Sequence, residues 1–409
     1  MCAQWKKDYN PSRPLTKLDA DKKINSNGEV EYTGDSFEDC LELLCSSVEL
    51  SRDLSEDTSR GFVHQAVHAA ARADKLDQAY VLGHISRKEE EYKKKPTLRF
   101  VMAGCISLKS RNRLAPLRSS EWAIRFGRDV PKAILEQELH YQRIFLQAES
   151  REFPHDYMRF VVQTFGKSDS EAGWQALTTL DYYRALWNLR INSQCYWRMS
   201  SGVVDPVNKI VLGPLQTLFR GDSILIEDKW WHDRGYRRPQ TVYDVTAIWD
   251  DLRKYETRAR MKIKSSRSKD FLMNGLLRYV RALDGRDYES VFLKLWSVLV
   301  HLTQSNEKKV IVRRAAFLWK DYEFHAQILQ HLRYSRNSMV HLDQFGGRGE
   351  ALVYQLKRYV EVLLHFLIFS GYKFKSNEEI NHFLDLDPNL ESLSKGSRLI
   401  KRGIKFRLS

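Results

Sequence analysis

LRYSRNSMVHLDQFGG, residues 332–347, closes a long helical pattern in a Gly-Gly loop, and what surrounds this stretch decides the fold. Upstream, the helical period runs back to about Val310; downstream, EALVYQLKRYVEVLLHFLIF, residues 350–369, carries the same period. Phe271 to Leu283 and Tyr288 to Gln304 repeat it, with short polar or Gly-rich loops between the segments. These four segments predict an antiparallel helical bundle over residues 265–409, extended by a basic tail. Further outward, Ser168 and Glu171 form a capping-box signal ahead of the stripe Leu177, Leu180, Tyr183, Trp187, Ile191, Cys195, which reads as a long buried helix. Thr97 to Ile106, Trp122 to Phe126 and Tyr157 to Phe165 read as strands, with helix over Pro131 to Ala148 and two more strands at Lys209 to Leu212 and Ser223 to Ile226. Ser36 to about Tyr92 is helical, and residues 1–35 read as a loosely ordered lead-in. The expected class is α+β and mostly helical. A mixed region with short strands at 36–264, suited to sensing or substrate binding, precedes the bundle.

The chain has 409 residues, 43% hydrophobic and 29% charged, a globular balance rather than that of a disordered chain. Lys plus Arg number 66 against 52 Asp plus Glu, a net charge of +14 that favours an anionic partner. Five widely spaced cysteines without a CxxC pair suit a reducing cytoplasm and supply no structural zinc site. The longest apolar run, Val360 to Phe369, is far short of a membrane span, and the opening MCAQWKKDYNPSRP lacks an apolar signal core. A cytoplasmic chain without a membrane anchor is the expectation.

Within the opening stretch, Arg333, Asn337 and His341 fall at i, i+4 and i+8 on one face of a helix. Arg336 flanks that face, its long side chain able to reach round, while Leu329, Leu332 and Met339 lie toward the core. A histidine exchanges protons near neutral pH with a ribose 2′-OH or a leaving 5′-oxygen, and a permanently charged guanidinium holds phosphate as charge builds. These residue types suit RNA cleavage without a metal or other cofactor. Spacing alone is a weak signal, because an Arg with a His five residues later is expected about once by chance in such a composition. Arg358 and His365 also have an allowed separation, but Tyr359 follows the arginine, and that pair reads as structural.

The Arg336-Asn337-x-x-x-His341 pattern resembles the RN-x-x-x-H motif of the HEPN superfamily, specifically its ApeA-like branch. The flanking segments FLWKDYEFHAQILQHLRYSRN and EALVYQLKRYVEVLLHFLIF resemble the two bundle helices of that family, and TTLDYYRALWNLRINSQCYWRM with VLGPLQTLF more weakly resembles its upstream region. The resemblance covers about residues 268–375. It implies a homodimeric, metal-independent endoribonuclease in which paired motifs form one composite site, of a kind common among toxins and antiphage effectors. Arg336 would stabilise the phosphorane, Asn337 orient substrate or His341, and His341 act as general acid or base. One subgroup of the family has a Tyr two residues after the His, a target of modification; here Asp343 stands in that place.

Other stretches invite binding. DKWWHDRGYRRPQTVY, residues 228–243, interleaves Lys229, Arg234, Arg237 and Arg238 with Trp230, Trp231, His232 and Tyr236, so bases can stack on the rings while cations hold phosphates. The competing reading is an interdomain loop anchored by its aromatics. Gly346, Gly347 and Gly349 with Arg348 can cradle a phosphate beside His341, or simply connect two helices. GSRLIKRGIKFRLS adds Lys401, Arg402, Lys405 and Arg407 to an electrostatic footprint. His64 and His68 have metal-site spacing, but Gln65 stands where a zincin has Glu, and they read as ordinary surface or core histidines. Two other classes compete with the nuclease: a non-catalytic nucleic-acid or protein-binding scaffold on a retained HEPN fold, and an effector restrained until its amino-terminal half meets a phage-derived or cellular trigger.

Overall fold

The computed structural model describes residues 3–27, 29–33, 36–51, 54–148, 154–195, 206–221, 224–233, 236, 238–239, 241–285, 287–342 and 349–408. The class is α+β and mostly helical, with a six-stranded antiparallel sheet and, among the described residues, three two-stranded ones.

The chain begins with β1 (Gln4–Trp5), α1 (Ser12–Asp21), the hairpin β2 (Lys22–Ile24) and β3 (Val30–Tyr32), α2 (Phe37–Ser47), β4 (Val48–Glu49), α3 (Glu56–Arg72) and α4 (Gln78–Lys94). Leu15 and Leu18 of α1, Leu41 and Leu44 of α2, Val63 and Val67 of α3, and Val81 and Ile85 of α4 share one apolar cluster. The expected loose lead-in is therefore more structured than its composition suggests. Leu15 and Leu18 are one helical turn apart, too few to show a period in sequence yet enough to dock α1 on α2.

Next come β5 (Leu98–Ile106), β6 (Leu108–Lys109), β7 (Leu117–Arg118), β8 (Ala123–Phe126), α5 (Lys132–Ala148), β9 (Met158–Gly166), α6 (Asp169–Asn192), β10 (Leu215–Arg220), β11 (Ile224–His232) and β12 (Tyr243–Asp244). Six of these strands form one sheet in the order β11-β10-β5-β9-β8-β7, antiparallel throughout. Alternate residues divide between its faces. Phe100, Met102, Phe160, Val162 and Leu218 point to α6, whereas Val101, Ala103, Val161 and Phe219 meet Ile134 of α5. Lys209 to Leu212, expected as a strand, supplies only an isolated bridge from Leu212 to Ile106; the strand starts after Pro214, as β10. Proline has no N–H for a ladder, so regular pairing resumes beyond it.

The remainder is helical: α7 (Trp249–Ser265), α8 (Lys269–Leu283), α9 (Tyr288–Thr303), α10 (Lys308–Ala316), α11 (Tyr322–Leu342), α12 (Gly349–Phe369), α13 (Asn377–Leu384) and α14 (Leu390–Leu408). Val310 to Leu342, expected as one helix, is broken into α10 and α11. Asp321 restarts the helix: its Oδ1 accepts from the Phe324 N–H at 3.2 Å and its carbonyl from the His325 N–H at 3.1 Å. The bundle core joins α8, α9, α10, α11 and α12 through Leu276, Leu295, Leu299, Ile311, Leu329, Leu332, Val360 and Leu363.

The junction expected near residue 265 coincides with the end of α7, but the two large cores share helices across it. Ala185, Leu186 and Leu189 of α6 belong to the bundle core, while Leu180, Tyr183 and Trp187 belong to the sheet core. Likewise Trp249 and Leu252 of α7 pack with the sheet, and Ala259 and Ile263 with the bundle. The capping signal at the start of α6 is realised, with Ser168 Oγ accepting the Glu171 N–H at 3.2 Å and Glu171 accepting the Lys167 N–H at 2.7 Å. Among the described residues, no helix is long and apolar enough to cross a membrane.

Candidate functional site

α11 positions the motif, and its amino-terminal half is what holds it in place. His325 stacks on Trp319 with ring centroids 4.1 Å apart, and its Nδ1 is 2.8 Å from the Tyr359 hydroxyl of α12. Burial, with the nearby Arg358 charge, holds this imidazole below its usual pKa. Arg358 lies over the Trp319 ring at 4.4 Å, and His365 is stacked on Phe369. Arg358 thus packs beside the amino-terminal half of α11, and His365 stacks on its own helix, neither of them at Arg336 and Asn337.

From His325 the inward stripe of α11 proceeds through Leu329 and Leu332, both fully buried, and its next position, one turn on, is Arg336. The sequence reading placed Arg336 at the flank of the motif face; the helix phase puts it on the core stripe, where the bundle's apolar contacts give way to a half-buried guanidinium. Its Nη1 donates to the neighbouring Asn337 Oδ1 at 3.4 Å. One turn before Asn337, Arg333 is also half-buried, rests over the Tyr334 ring at 4.9 Å, and has a buried Nε that finds no hydrogen-bond acceptor among the described residues. Among the described residues, neither Arg333 nor Arg336 meets a carboxylate, so two guanidinium cations stand one turn apart on the carboxy-terminal half of one helix with little to neutralise them.

His341 lies in the last turn of α11, one turn beyond Asn337; its side chain lies outside the described residues, as does all of Arg348. The backbone therefore brings Arg333, Arg336, Asn337 and His341 to one helix end.

The aromatic and basic stretch at 228–243 belongs elsewhere, to the edge of the sheet. Trp230 and Trp231 are consecutive on β11 and point to opposite faces. Trp230 packs on Phe145 of α5 at 4.6 Å, whereas Trp231 crosses the sheet to α6, lying against Trp174 and so close over Gly173 that a Cβ there would fall 1.9 Å from its ring. The two rings therefore do not share one surface, and Trp231 has an anchoring role. Lys229 is half-buried beside them, and Arg238 pairs with Asp156 at 2.6 Å. Arg234 and Arg237 lie outside the described residues.

His68 is held in a ring cluster with Tyr32 and Phe37, and burial lowers its pKa. Among the described residues, no three His, Cys, Asp or Glu side chains converge as metal ligands would.

A polar cluster the sequence reading did not single out lies between α5 and the sheet. Arg159 Nη1 donates to both carboxylate oxygens of Glu138 at 3.0 Å and to Gln142 Oε1 at 3.1 Å, while Gln142 also donates to Glu138 and to the Leu215 carbonyl. The signal was present in sequence: Ile134, Glu138, Gln142 and Leu146 recur every four residues, two polar side chains interrupting a buried stripe. Comparison of the chain with protein-family models, curated proteins and solved structures finds no match.

Proposed function

We propose that the chain is a metal-independent endoribonuclease acting through Arg336, Asn337 and His341, with Arg333 and Arg348 as phosphate contacts and a second copy completing the site. What carries this reading is the pair of guanidiniums, Arg333 and Arg336, that meet no carboxylate among the described residues, on the turns of α11 that lead into His341. A phosphodiester entering there would supply the missing negative charge. In the reaction, the ribose 2′-oxygen attacks phosphorus, the bond to the 5′-oxygen breaks, and a 2′,3′-cyclic phosphate and a 5′-hydroxyl remain. Arg336 stabilises the charge on the phosphorane, His341 moves one of the two protons, and the partner copy moves the other. The resemblance to the ApeA-like HEPN proteins supports the dimeric arrangement, and a role as a toxin or antiphage effector follows from it.

The test is cleavage of RNA in EDTA by the wild type beside Arg336→Ala and His341→Ala, with end-group analysis. Cyclic-phosphate ends made by the wild type and reduced by about 10² or more in both variants are expected. Cleavage surviving both substitutions overturns the site. Salt-sensitive RNA binding without cleavage by any of the three, unaffected by His341→Ala, would mark a binding scaffold instead.

A further inference from the structure

α14 is a nineteen-residue helix none of whose residues is buried against the rest of the chain. Its sequence, LESLSKGSRLIKRGIKFRL, is nonetheless sharply two-sided. At 100° per residue, Lys395, Arg398, Lys401, Arg402 and Lys405 gather within about a third of the circumference. Leu390, Leu399, Ile400, Ile404 and Leu408 lie outside that arc, each between 55% and 84% exposed, and the sixth cation, Arg407, falls among them between Leu399 and Ile400, near the helix end where its long side chain can reach the level of headgroups. Six Lys or Arg stand against the single acid Glu391, a net charge of +5 on one helix.

We propose that α14 docks the chain on an anionic lipid surface, lying in the plane of the interface with its apolar side immersed. Two properties must be met at once: an apolar side too broad to leave in water, and cations that border it along both edges. Lys401 adjoins Leu390 and Leu408 at one edge of the apolar side, and Lys395 adjoins Leu399 at the other. A lipid surface supplies acyl chains beneath and phosphate or carboxylate headgroups at the level of those cations. A second copy of the helix would bring like-charged borders together, and a nucleic acid would leave the apolar side unfilled. With six cations the helix does not cross the bilayer; at about 1.5 Å per residue it covers roughly 28 Å of surface.

The experiment is co-sedimentation of the full chain with vesicles of phosphatidylcholine alone and of phosphatidylcholine with about 30% phosphatidylserine. Alongside the wild type stand the double variants Ile400→Glu with Ile404→Glu, and Lys401→Gln with Arg402→Gln. All four side chains are solvent-exposed, and an unchanged circular dichroism spectrum and thermal midpoint will show that the fold is kept. The wild type is expected to bind the anionic vesicles and not the neutral ones, the apolar variant to lose binding, and the charge variant to weaken it roughly 25-fold, about fivefold per cation. Absence of binding to phosphatidylserine vesicles overturns the proposal, as does binding that survives the two glutamates. So does a helix that binds only a single-stranded RNA oligonucleotide, with the charge variant impaired and the apolar variant not. A dimer dispersed by the glutamates without any vesicle binding overturns it in favour of a second copy. Lys401 and Arg402 also lie in the basic footprint that the sequence suggests for nucleic acid, so vesicle binding itself, and not RNA cleavage, is the readout.

Discussion

Burial of Glu138 between α5 and the sheet pushes its carboxyl from 4.5 up to about 7, although the Arg159 guanidinium 3.0 Å away pulls the other way. Its folded value thus lies above its unfolded one, and the native state holds the proton more tightly between about pH 4.5 and 7. The stability this group contributes is fully present below that window and is lost as pH rises through it. The difference amounts to on the order of 3 kcal/mol. Glu138→Gln keeps the shape and hydrogen-bonding capacity of the protonated acid and removes the titration. Urea unfolding of wild type and variant should agree near pH 5 and diverge toward pH 8, with the variant gaining relative stability. The slope of the difference with pH is the readout; a difference that stays constant from pH 5 to 8 would show Glu138 ionised throughout.

At the scale of elements, α13 is fastened to α10 by one carboxylate. Asp385 accepts from Arg314 Nε at 2.8 Å and Nη2 at 2.6 Å, and from Arg313 Nη2 at 2.6 Å. Hydrogen bonding by Arg314, more than by Arg313, holds Asp385 down to about 2 against the opposing effect of its partial burial. This contribution is present above the ordinary carboxylate range and is lost as pH falls from about 4 toward 2. Asp385→Ala strands the largely buried Arg314 and should cost about 2 to 4 kcal/mol, seen as a lower thermal midpoint at pH 7 and a smaller loss on acidification than in the wild type. An unchanged midpoint would mean that solvent already satisfies Arg314. The helices α8, α9 and α12 were legible in the sequence because their apolar stripes are long and their loops short. The break between α10 and α11 was hidden, because Phe317, Leu318 and Trp319 carry the apolar pattern across a gap whose only marker is the Asp321 cap. β10 was hidden for another reason: Leu215 to Phe219 is buried on both faces, and a strand so placed shows no alternation. In the motif, the shared face of Arg333 and Asn337 followed from spacing, whereas the inward position of Arg336 needed the phase of the helix as fixed by His325, Leu329 and Leu332.

For the whole molecule, the decisive feature is that α6 serves both large cores, so neither can melt without exposing a face of the same helix. A buried polar network reinforces the connection. Arg184 Nη2 donates to Asp181 at 2.7 Å and to Asp284 at 2.8 Å, Arg281 Nε donates to Asp181 at 2.8 Å, and Asn208 Nδ2 reaches both Asp284 and the Val280 carbonyl at 2.7 Å. Farther along, the Tyr279 hydroxyl donates to Glu361 at 2.6 Å, and Lys357 Nζ donates to the Asn192 carbonyl at 2.7 Å, tying α8 and α12 to the end of α6. Each of these groups is costly to leave unpaired in the interior, so partial unfolding along this seam would forfeit hydrogen bonds on both sides. The sheet and the bundle are therefore expected to unfold in one transition, with tryptophan fluorescence, whose reporters include Trp187 and Trp249 in the sheet core and Trp296 in the bundle core, and far-ultraviolet circular dichroism, dominated by the helices, giving the same midpoint. Arg184→Ala, which removes the cation shared by Asp181 and Asp284 and leaves them only Arg281 and Asn208, should lower that shared midpoint by an amount equivalent to about 3 to 5 kcal/mol without splitting it. Calorimetry decides the matter: a calorimetric enthalpy well above the van't Hoff value, or fluorescence and dichroism midpoints that separate in the wild type, would show that the sheet and the bundle melt independently despite the helix they share.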